Sequence, residues 1–317
     1  MTSSELSADT VECIDSSGLD KALLMDRVSE ALDEDLAYGP DVTTLATVPV
    51  DQVVAAAMTA RRPGVLAGLP LALVTLDLVV GPGRWELVEC LADGSKLSCG
   101  SVAIRVHAPT RELLTAERTM LNFVCHLSGV ATLTARWAEA VAPVVVRDTR
   151  KTVPGLRVLH KYAVRCGGGV NHRMGLGDAA LIKDNHVAAA GSVSAAVAAV
   201  RAASPAIPLE VECDGFDQVQ EAIAAGVDLI LLDNMPQDEM REAVNLAERL
   251  GRRGDDHSVR FEASGGLTLD SAPSLSITGV DYAAVGALTH SAPALDLGLD
   301  IEEIVGASSE PLDRVGR

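Results

Sequence analysis

The residues best suited to chemistry in this chain form a cationic cluster between Arg147 and Lys183. Eight lysine or arginine side chains and only two aspartates fall in this stretch, whereas the chain of 317 residues has a formal net charge of −18. Like charges repel when they are held close together, so a concentration of cations inside an acidic protein indicates an anionic ligand. We therefore predict a substrate that carries several negative charges.

Five members of this stretch follow predicted strand ends or lie beside glycines, where a pocket can form: Arg150, Lys151, His172, Arg173 and Lys183. Arg118, on a helical stretch upstream, is expected to join them. Arginine binds a carboxylate through two parallel hydrogen bonds and lysine acts as a point charge, so the set suits a dicarboxylate beside a diphosphate. Arg157, Lys161 and Arg165 share one predicted helix, and for these three the simpler interpretation is solvated surface charge.

Two carboxylates, Glu212 and Asp233, end successive predicted strands, so their side chains are expected to face one cavity. Hard oxygen ligands of this kind suit Mg²⁺ or the hydroxyl groups of a ribose. The alternative is that they are structural partners of Lys183 or Arg173 and neutralise the cationic cluster. The two roles are compatible.

Glycines follow the last two predicted strands, at Ser264-Gly265-Gly266 and at Gly286-Ala287. Loops in these positions commonly bind phosphate in β/α barrels, because glycine lets backbone N–H groups approach the phosphate oxygens closely. We predict a terminal phosphomonoester at these loops. An ordinary tight turn is the alternative.

The elements that must position these residues are short β-rich runs that alternate with amphipathic helical segments. Strands are predicted at 144–147, 179–182, 209–213, 229–232, 259–263 and 282–285. This alternation is typical of a parallel β/α architecture with right-handed crossovers. Six strands are fewer than the eight of a full barrel. Since the carboxyl ends of parallel barrel strands share one face, six separate pieces of sequence are predicted to converge on one pocket.

The first part of the chain has a different pattern, in which short apolar runs are separated by Pro- and Gly-containing turns. That pattern indicates an α+β module with antiparallel strands. We predict a disordered tail over 1–20, an N-terminal domain over 21–117, a barrel domain over 118–290 and a helical segment over 291–317.

Composition argues against several other classes of protein. The acidic balance and an aromatic content of 3% disfavour nucleic-acid binding, which needs phosphate-neutralising charge and stacking rings. Apolar runs stay below the ~18 residues of a membrane span, and the start of the chain lacks the basic and apolar regions of a secretory signal. The six cysteines form no C-x-x-C pair, so reduced thiols and a cytoplasmic location are expected.

Several ordered motifs together resemble the quinolinate phosphoribosyltransferase family. They are Asp148-Thr149-Arg150-Lys151-Thr152, Cys166-Gly167-Gly168-Gly169-Val170-Asn171-His172-Arg173, Leu181-Ile182-Lys183-Asp184-Asn185-His186, Glu210-Val211-Glu212 and Leu232-Asp233-Asn234. The resemblance runs from about Leu23 to about His290. It implies an N-terminal open α/β sandwich joined to an incomplete β/α barrel, which accounts for the low strand count.

The resemblance also implies an enzyme that uses Mg²⁺ and phosphoribosyl pyrophosphate to convert quinolinate into nicotinate mononucleotide, CO₂ and pyrophosphate. A homodimer is implied, in which the sandwich of one subunit covers the barrel mouth of the other. Neither a nucleic acid nor a membrane is an expected partner.

By position in the motifs, the resemblance assigns binding of the quinolinate carboxylates to Arg150, His172, Arg173 and Lys183, with Arg118 supplied by the partner subunit. Thr149 is a further expected substrate-binding residue. Lys151 would lie between the substrate acid and the pyrophosphate, and Glu212 and Asp233 would meet the ribose and Mg²⁺. The 5′-phosphate would lie against Ser264, Gly265, Gly266, Gly286 and Ala287. The expected catalytic residues are Lys151, Lys183, Glu212 and Asp233.

Two other functions are compatible with parts of this pattern. One is a related phosphoribosyltransferase that accepts nicotinate, but a single carboxylate needs fewer cations than are present here. The other is a non-catalytic phosphosugar-binding or transport-associated protein on the same fold. Such a protein has no need for Glu212, Asp233 and Lys183 together.

Overall fold

A computed structural model describes residues 5–253 and 258–306 of the chain. The chain forms two compact units, of which the first contains Met1–Thr132 and Pro293–Arg317 and the second contains Leu133–Ala292. The expected combination of an antiparallel α/β module with an incomplete parallel β/α barrel is confirmed.

The first unit is built on an antiparallel sheet. Its elements are α1 (Ala8–Ser17), α2 (Lys21–Leu36), α3 (Val42–Thr47), β1 (Val53–Ala60), β2 (Gly64–Val65), α4 (Leu69–Val79), β3 (Glu86–Cys90), β4 (Lys96–Leu97), β5 (Val102–Pro109), the first part of α5 (Thr110–Val141) and β12 (Leu297–Ile304). The sheet has the strand order β12-β1-β5-β3, while β2 and β4 pair separately. The apolar helix α4 is buried along most of its length and contributes to the core of this unit.

The prediction of a disordered tail over 1–20 is wrong for Ala8–Ser17, which form helix α1. Ser7 caps this helix by accepting a hydrogen bond from the Thr10 N–H at 3.3 Å, and Thr10 and Ile14 are buried. Asp77, buried on α4, accepts hydrogen bonds from the Ser7 N–H at 2.9 Å and the Ser7 hydroxyl at 3.1 Å. Residues Ala8–Ser17 are ordered because the N-cap of the helix and a buried hydrogen-bond acceptor outweigh the polar composition of this segment.

The helical segment predicted over 291–317 is wrong for Leu297–Ile304, which form strand β12, and residues 307–317 lie outside the described ranges. Strand β12 pairs antiparallel with β1 at the edge of the sheet. Its acidic side chains meet cations of the same unit, since Asp300 accepts from Arg61 at 2.6 Å and Glu302 accepts from Arg105 at 2.8 Å. The strand partner is more than two hundred residues away in the chain, so a local pattern could not identify it.

The domain boundary predicted near residue 117 lies inside α5, a helix of 32 residues, and the two units divide instead at Thr132. The reason is that Met120, Leu121 and Val124 of this helix belong to the core of the first unit. No single helix within residues 5–253 and 258–306 is long and apolar enough to cross a membrane, and one bent pair of helices passes that test together on length and composition only.

The second unit contains the incomplete barrel. Its elements after the end of α5 are β6 (Val145–Arg147), α6 (Arg157–Cys166), β7 (Ala180–Ile182), α7 (Asp184–Ala190), α8 (Val193–Ala203), β8 (Leu209–Cys213), α9 (Phe216–Ala224), β9 (Leu229–Asp233), α10 (Gln237–Arg249), β10 (Arg260–Ser264), α11 (Ala272–Leu275), β11 (Tyr282–Ala284) and α12 (Ala287–His290). All six strands are parallel, in the order β6-β11-β10-β9-β8-β7. The six predicted strands are confirmed.

Candidate active site

A cavity of about 390 Å³ lies at the carboxyl ends of the barrel strands. Its lining residues come from all six strands or the segments that follow them, and they are Thr149, Arg150, Lys151, His172, Arg173, Leu181, Lys183, Glu212, Leu231, Asp233, Ser264 and Ala284. Nine of these are among the fourteen site residues that the sequence predicts. Four lysine or arginine side chains and two carboxylates face the same space, so the cavity has a formal excess of positive charge.

Five predicted residues do not line this cavity. Gly265 and Gly266 line a neighbouring open depression of about 550 Å³ together with Asn234. Gly286 lies against Lys151, since a Cβ atom added at Gly286 would be 3.2 Å from the Lys151 Cδ atom. Ala287 begins α12. The fifth, Arg118, is an exposed side chain on α5 in the first unit.

The two arginines of the cavity are short of anionic partners. The Nε atom of Arg150 is buried and makes no hydrogen bond to any residue in the described ranges. Arg173 donates to the Ala179 carbonyl at 3.0 Å, which leaves the rest of its guanidinium for other acceptors. Burial and, secondly, the positive charge of Arg150 lower the pKa of Arg173. Two arginines that repel each other across a cavity favour an anion between them.

Lys183 and Glu212 form an ion pair at the ends of β7 and β8. The Lys183 N–H donates to His186 Nδ1 at 2.9 Å, which fixes the first turn of α7 and the direction of the lysine. The alternative role of Glu212, as a structural partner of a cation in the cluster, is therefore observed, because Glu212 pairs with Lys183. Its carboxylate has further lone pairs that the lysine does not use, so a ligand role is compatible with the pair.

The loops after β9 and β10 fit together closely. Asn234 has a positive φ of 52°, its N–H donates to the Ser264 carbonyl at 2.9 Å, and its side chain donates to Asp233 Oδ2 at 2.7 Å. A Cβ atom added at Gly265, where φ is 87°, would lie 2.3 Å from Asn234 Oδ1. Only glycine fits there. Asn234 is a site residue that the sequence motifs did not identify, although its position directly after a strand end was a usable signal.

A buried ion pair holds the main chain that carries His172. Lys161 and Asp148, both with fully buried side chains, form a salt bridge, and Lys161 also donates to the His172 carbonyl at 2.8 Å. Asp148 in turn accepts from the His172 N–H at 2.9 Å and from the Asn171 side chain. The interpretation of Lys161 as a solvated surface charge is therefore wrong. Burial lowers the pKa of Lys161, while the hydrogen bond to Asp148 acts in the opposite direction.

The other two cations of helix α6 have ordinary surface roles. Arg165 is exposed, lies over the Tyr162 ring with 5.5 Å between the guanidinium carbon and the ring centroid, and donates to Asn171 Oδ1 at 3.2 Å. Arg157 donates to the Met174 carbonyl at 3.1 Å. Neither is among the residues that line the cavity.

A second buried network lies behind the His172 ring. His172 Nε2 is 2.9 Å from Glu210 Oε2, and Arg147 pairs with Glu262 on the neighbouring side. Burial and, secondly, the Glu210 carboxylate raise the pKa of Glu262 well above its ordinary value, whereas the hydrogen bond from His172 lowers the pKa of Glu210 despite its burial. One oxygen of each glutamate is buried with no hydrogen-bond partner in the described ranges.

The apolar part of the cavity wall was not predicted from the sequence, and it consists of Leu181, Leu231 and Ala284. These residues lie on strands β7, β9 and β11 and are half-buried or buried. Small-molecule sites combine such apolar surface with a few polar groups that fix orientation. The period-two alternation of strand residues was the signal that could have identified them.

An incomplete β/α barrel with a cation-lined cavity at the carboxyl ends of its strands defines a class of barrel proteins that bind small anionic molecules. The quinolinate phosphoribosyl transferase N-terminal domain profile matches residues 41–128, and the C-terminal domain profile matches residues 130–300. The chain belongs to the quinolinate phosphoribosyltransferase family.

Individual relatives agree with this assignment. A Mycobacterium leprae protein named nicotinate-nucleotide pyrophosphorylase (carboxylating) is 54% identical over 278 residues, covering 87% of this chain and 96% of the relative. The solved structure of nicotinate-nucleotide pyrophosphorylase from Francisella tularensis has a TM-score of 0.83 at 34% identity, covering 90% of this chain and 98% of that one. NadC from Streptococcus pyogenes has a TM-score of 0.82 at 38% identity, covering 90% and 99%.

Proposed function

We propose that this chain transfers the phosphoribosyl group of phosphoribosyl pyrophosphate to quinolinate with decarboxylation, giving nicotinate mononucleotide, pyrophosphate and CO₂ for NAD biosynthesis. The observation that carries this proposal is the cavity itself. Four cationic side chains and two carboxylates, drawn from separate strand ends, surround a space of about 390 Å³ in a member of this family. A dicarboxylate and a sugar phosphate together require such a mixture of charges.

Quinolinate is proposed to bind through Arg150, Arg173 and Lys183, beside Thr149. The support is electrostatic, because the buried Arg150 Nε atom has no hydrogen-bond partner among residues 5–253 and 258–306 and the two arginines repel each other across the cavity. Each carboxylate of quinolinate would relieve that repulsion and accept hydrogen bonds that the free protein leaves unmade. Leu181 and Leu231 supply apolar surface for the pyridine ring.

Phosphoribosyl pyrophosphate is proposed to bind along β9, β10 and β11. Glu212 and Asp233 would accept hydrogen bonds from the ribose hydroxyls, and Lys151 would meet the pyrophosphate. The 5′-phosphate would lie on the backbone N–H groups of the segments Ser264–Gly266 and Gly286–Ala287. The close fit of Gly265 against Asn234 supports a loop shaped for the approach of a phosphate.

The two carboxylates also fit a magnesium ion. Mg²⁺ usually binds to proteins through one or two carboxylates and completes its coordination with water and substrate phosphates. In the part of the chain that the structure describes, Glu212 pairs with Lys183 and Asp233 accepts a hydrogen bond from Asn234, and each carboxylate retains lone pairs for a further ligand. When bound, Mg²⁺ would neutralise charge on the pyrophosphate. The proposed direct ligands are these two residues.

The proposed chemistry begins with orientation. Arg150, Arg173 and Lys183 hold both carboxylates, so that the ring nitrogen faces the ribose C1 atom. The bond between C1 and the pyrophosphate oxygen breaks, C1 gains oxocarbenium character, and the nitrogen forms the new bond to C1. Lys151 stabilises the negative charge on the departing pyrophosphate.

Decarboxylation completes the reaction. The pyridinium formed by alkylation accepts the electron pair of the breaking C–C bond as the adjacent carboxylate leaves as CO₂, and the ring carbon then takes up a proton. A general base is not required at any step. The cations that bind the carboxylates therefore act through position and charge.

The reaction test measures two products. With quinolinate, phosphoribosyl pyrophosphate and Mg²⁺, we expect CO₂ and pyrophosphate in equal amounts, and we expect chelation of Mg²⁺ to stop both until Mg²⁺ is restored. Pyrophosphate without CO₂, obtained from nicotinate in place of quinolinate, would support the nicotinate enzyme instead. Release of neither product with any acid would support a phosphosugar-binding protein.

Gly265→Ala tests the phosphate loop. We expect the KM for phosphoribosyl pyrophosphate to rise about tenfold, because the methyl group strains a backbone with positive φ and meets Asn234. The KM for quinolinate should change by less than about threefold. Gly191→Ala is the matched control, since Gly191 has a similar φ of 93° and nothing within 4 Å of an added Cβ atom. An equal effect of the two substitutions would contradict a phosphate role for this loop.

We also propose that the enzyme is a cytoplasmic homodimer with shared active sites, in which each barrel cavity receives Arg118 of the partner subunit. The exposure of Arg118 on α5 supports this arrangement, because an exposed arginine remains available to a second chain. The six cysteines are all free thiols, which supports a reducing compartment.

Subunit mixing tests the shared site. Arg118→Ala and Lys183→Ala are each expected to be nearly inactive as pure proteins. Co-expression of the two should restore about a quarter of wild-type activity, because half of randomly formed dimers are mixed and each mixed dimer has one intact site. Failure of the mixture to exceed the pure variants, with mixed dimers present, would contradict a contribution of Arg118 across the interface.

A further inference from the structure

The hydrogen bonds of the His172 ring define where its proton lies. The Arg173 N–H donates to His172 Nδ1 at 2.8 Å. A backbone N–H is always a donor, so Nδ1 must be the unprotonated nitrogen. The ring proton is then on Nε2, which lies 2.9 Å from Glu210 Oε2. Glu210 must accept this hydrogen bond, because a proton donated by Glu210 would leave the imidazole with no proton of its own.

Both nitrogens of this cavity-lining side chain are therefore already in use. His172 is 7% exposed, and what it can offer to a ligand is carbon atoms and the face of its ring. A carboxylate needs a hydrogen-bond donor, and His172 has none left to give. The motif resemblance assigned a carboxylate-binding role to His172, and the hydrogen bonds indicate a different one.

The backbone N–H and carbonyl of His172 also have hydrogen-bond partners. Its N–H donates to Asp148 at 2.9 Å, and its carbonyl accepts from Lys161 at 2.8 Å. The next residue in the chain is Arg173, whose N–H meets the ring. Every polar group from the His172 N–H to the Arg173 N–H thus has a protein partner, and this segment presents the Arg173 guanidinium to the cavity.

We propose that His172 is a positioning residue, a neutral ring held in the Nε2–H tautomer by Glu210, which fixes the Arg173 main chain and thereby aims the Arg173 guanidinium at the substrate acid. The inference rests on the proposed function only for the identity of that acid. Glu210 accepts the hydrogen bond of the ring, the ring accepts that of the Arg173 N–H, and of these three residues Arg173 is the one that contacts the anion.

One other arrangement of these residues has to be excluded. His172, Glu210 and Glu262 place one ligand atom each within 4.8 Å of one another, as a metal site would. A metal on Nε2 requires that nitrogen to be unprotonated and competes with the pairing of Arg147 and Glu262. Stoichiometric metal in the purified protein that is lost in His172→Asn would overturn the proposal.

The tautomer can be measured directly by NMR on the full-length protein labelled with ¹⁵N-histidine. We expect His172 to be a neutral ring with its proton on Nε2, both in the free protein and with saturating quinolinate. A proton on Nδ1, or on both nitrogens in the quinolinate complex, would overturn the proposal. Calorimetric titration of the same sample with quinolinate keeps the two proposals distinct, because absence of binding contradicts the proposed function and leaves the tautomer measurement intact.

A pair of substitutions tests the positioning role by kinetics. The Asn oxygen in His172→Asn can occupy the place of Nδ1 and accept the Arg173 N–H, whereas His172→Gln reaches towards Glu210 and leaves that N–H without an acceptor. We expect the KM for quinolinate to rise at least tenfold in the Gln variant and by less than about threefold in the Asn variant, with the KM for phosphoribosyl pyrophosphate unchanged in both. An equal rise of the quinolinate KM in the two variants would overturn the proposal. If either variant does not fold, the NMR measurement on the wild-type protein still tests it.

Discussion

Replacing Arg173 by Ala is expected to raise the KM for quinolinate by about a hundredfold, with little change in the KM for phosphoribosyl pyrophosphate. The substitution removes charge-assisted hydrogen bonds to a carboxylate in a partly buried site, a loss of about 2–3 kcal/mol, and each 1.4 kcal/mol is about tenfold in affinity. The variant also lacks the repulsion between Arg150 and Arg173 that quinolinate relieves in the wild type, so the free energy gained on binding quinolinate falls further.

The control for this prediction is Arg165→Ala. Arg165 belongs to the same cationic stretch of sequence, but it is exposed and packs on Tyr162 instead of lining the cavity. We expect its quinolinate KM to stay within about twofold of the wild type, since surface charges contribute little. Steady-state kinetics with each substrate varied in turn gives both constants. An unchanged quinolinate KM in Arg173→Ala would remove Arg173 from its proposed role.

The convergence of the site residues could be predicted, because in a parallel β/α barrel the residues that follow the strands all lie at the same face. Once six strands were identified, the residues after each strand had to meet at one face. Lys183, Glu212 and Asp233 come together for that reason, although up to fifty residues separate them. The same geometry does not say which lining residues face a ligand and which face one another, and the Lys183–Glu212 pair is an example.

The buried charges could not be predicted, because burial is a property of the packed chain. Lys161 lies on an amphipathic helix between polar neighbours, and nothing local distinguishes it from Arg165 four residues later. What distinguishes them is Asp148, which comes from a different segment and meets Lys161 only in the folded barrel. Strand β12 was missed for a similar reason, since its partner β1 is remote in the chain.

The buried Lys161–Asp148 pair is expected to contribute strongly to the stability of the barrel unit. Lys161→Met is expected to reduce the free energy of unfolding of the barrel unit by about 3–5 kcal/mol, because the substitution leaves a fully buried carboxylate without its counter-charge and the His172 carbonyl without a donor. Urea denaturation followed by tryptophan fluorescence and circular dichroism measures the change. Arg165→Met, at an exposed position in the last turn of the same helix, should alter the free energy of unfolding by no more than about 0.5 kcal/mol.

A double substitution separates charge from packing. Asp148→Asn combined with Lys161→Met keeps an acceptor for the His172 N–H and removes the unpaired charge, so we expect it to recover part of the stability that Lys161→Met loses. Asp148→Asn alone leaves a buried lysine without its anion and should be less stable than the double variant. If Lys161→Met were as stable as Arg165→Met, the lysine would have to be solvated in the folded protein. The segment that aims Arg173 would then lack the buried support that the structure gives it.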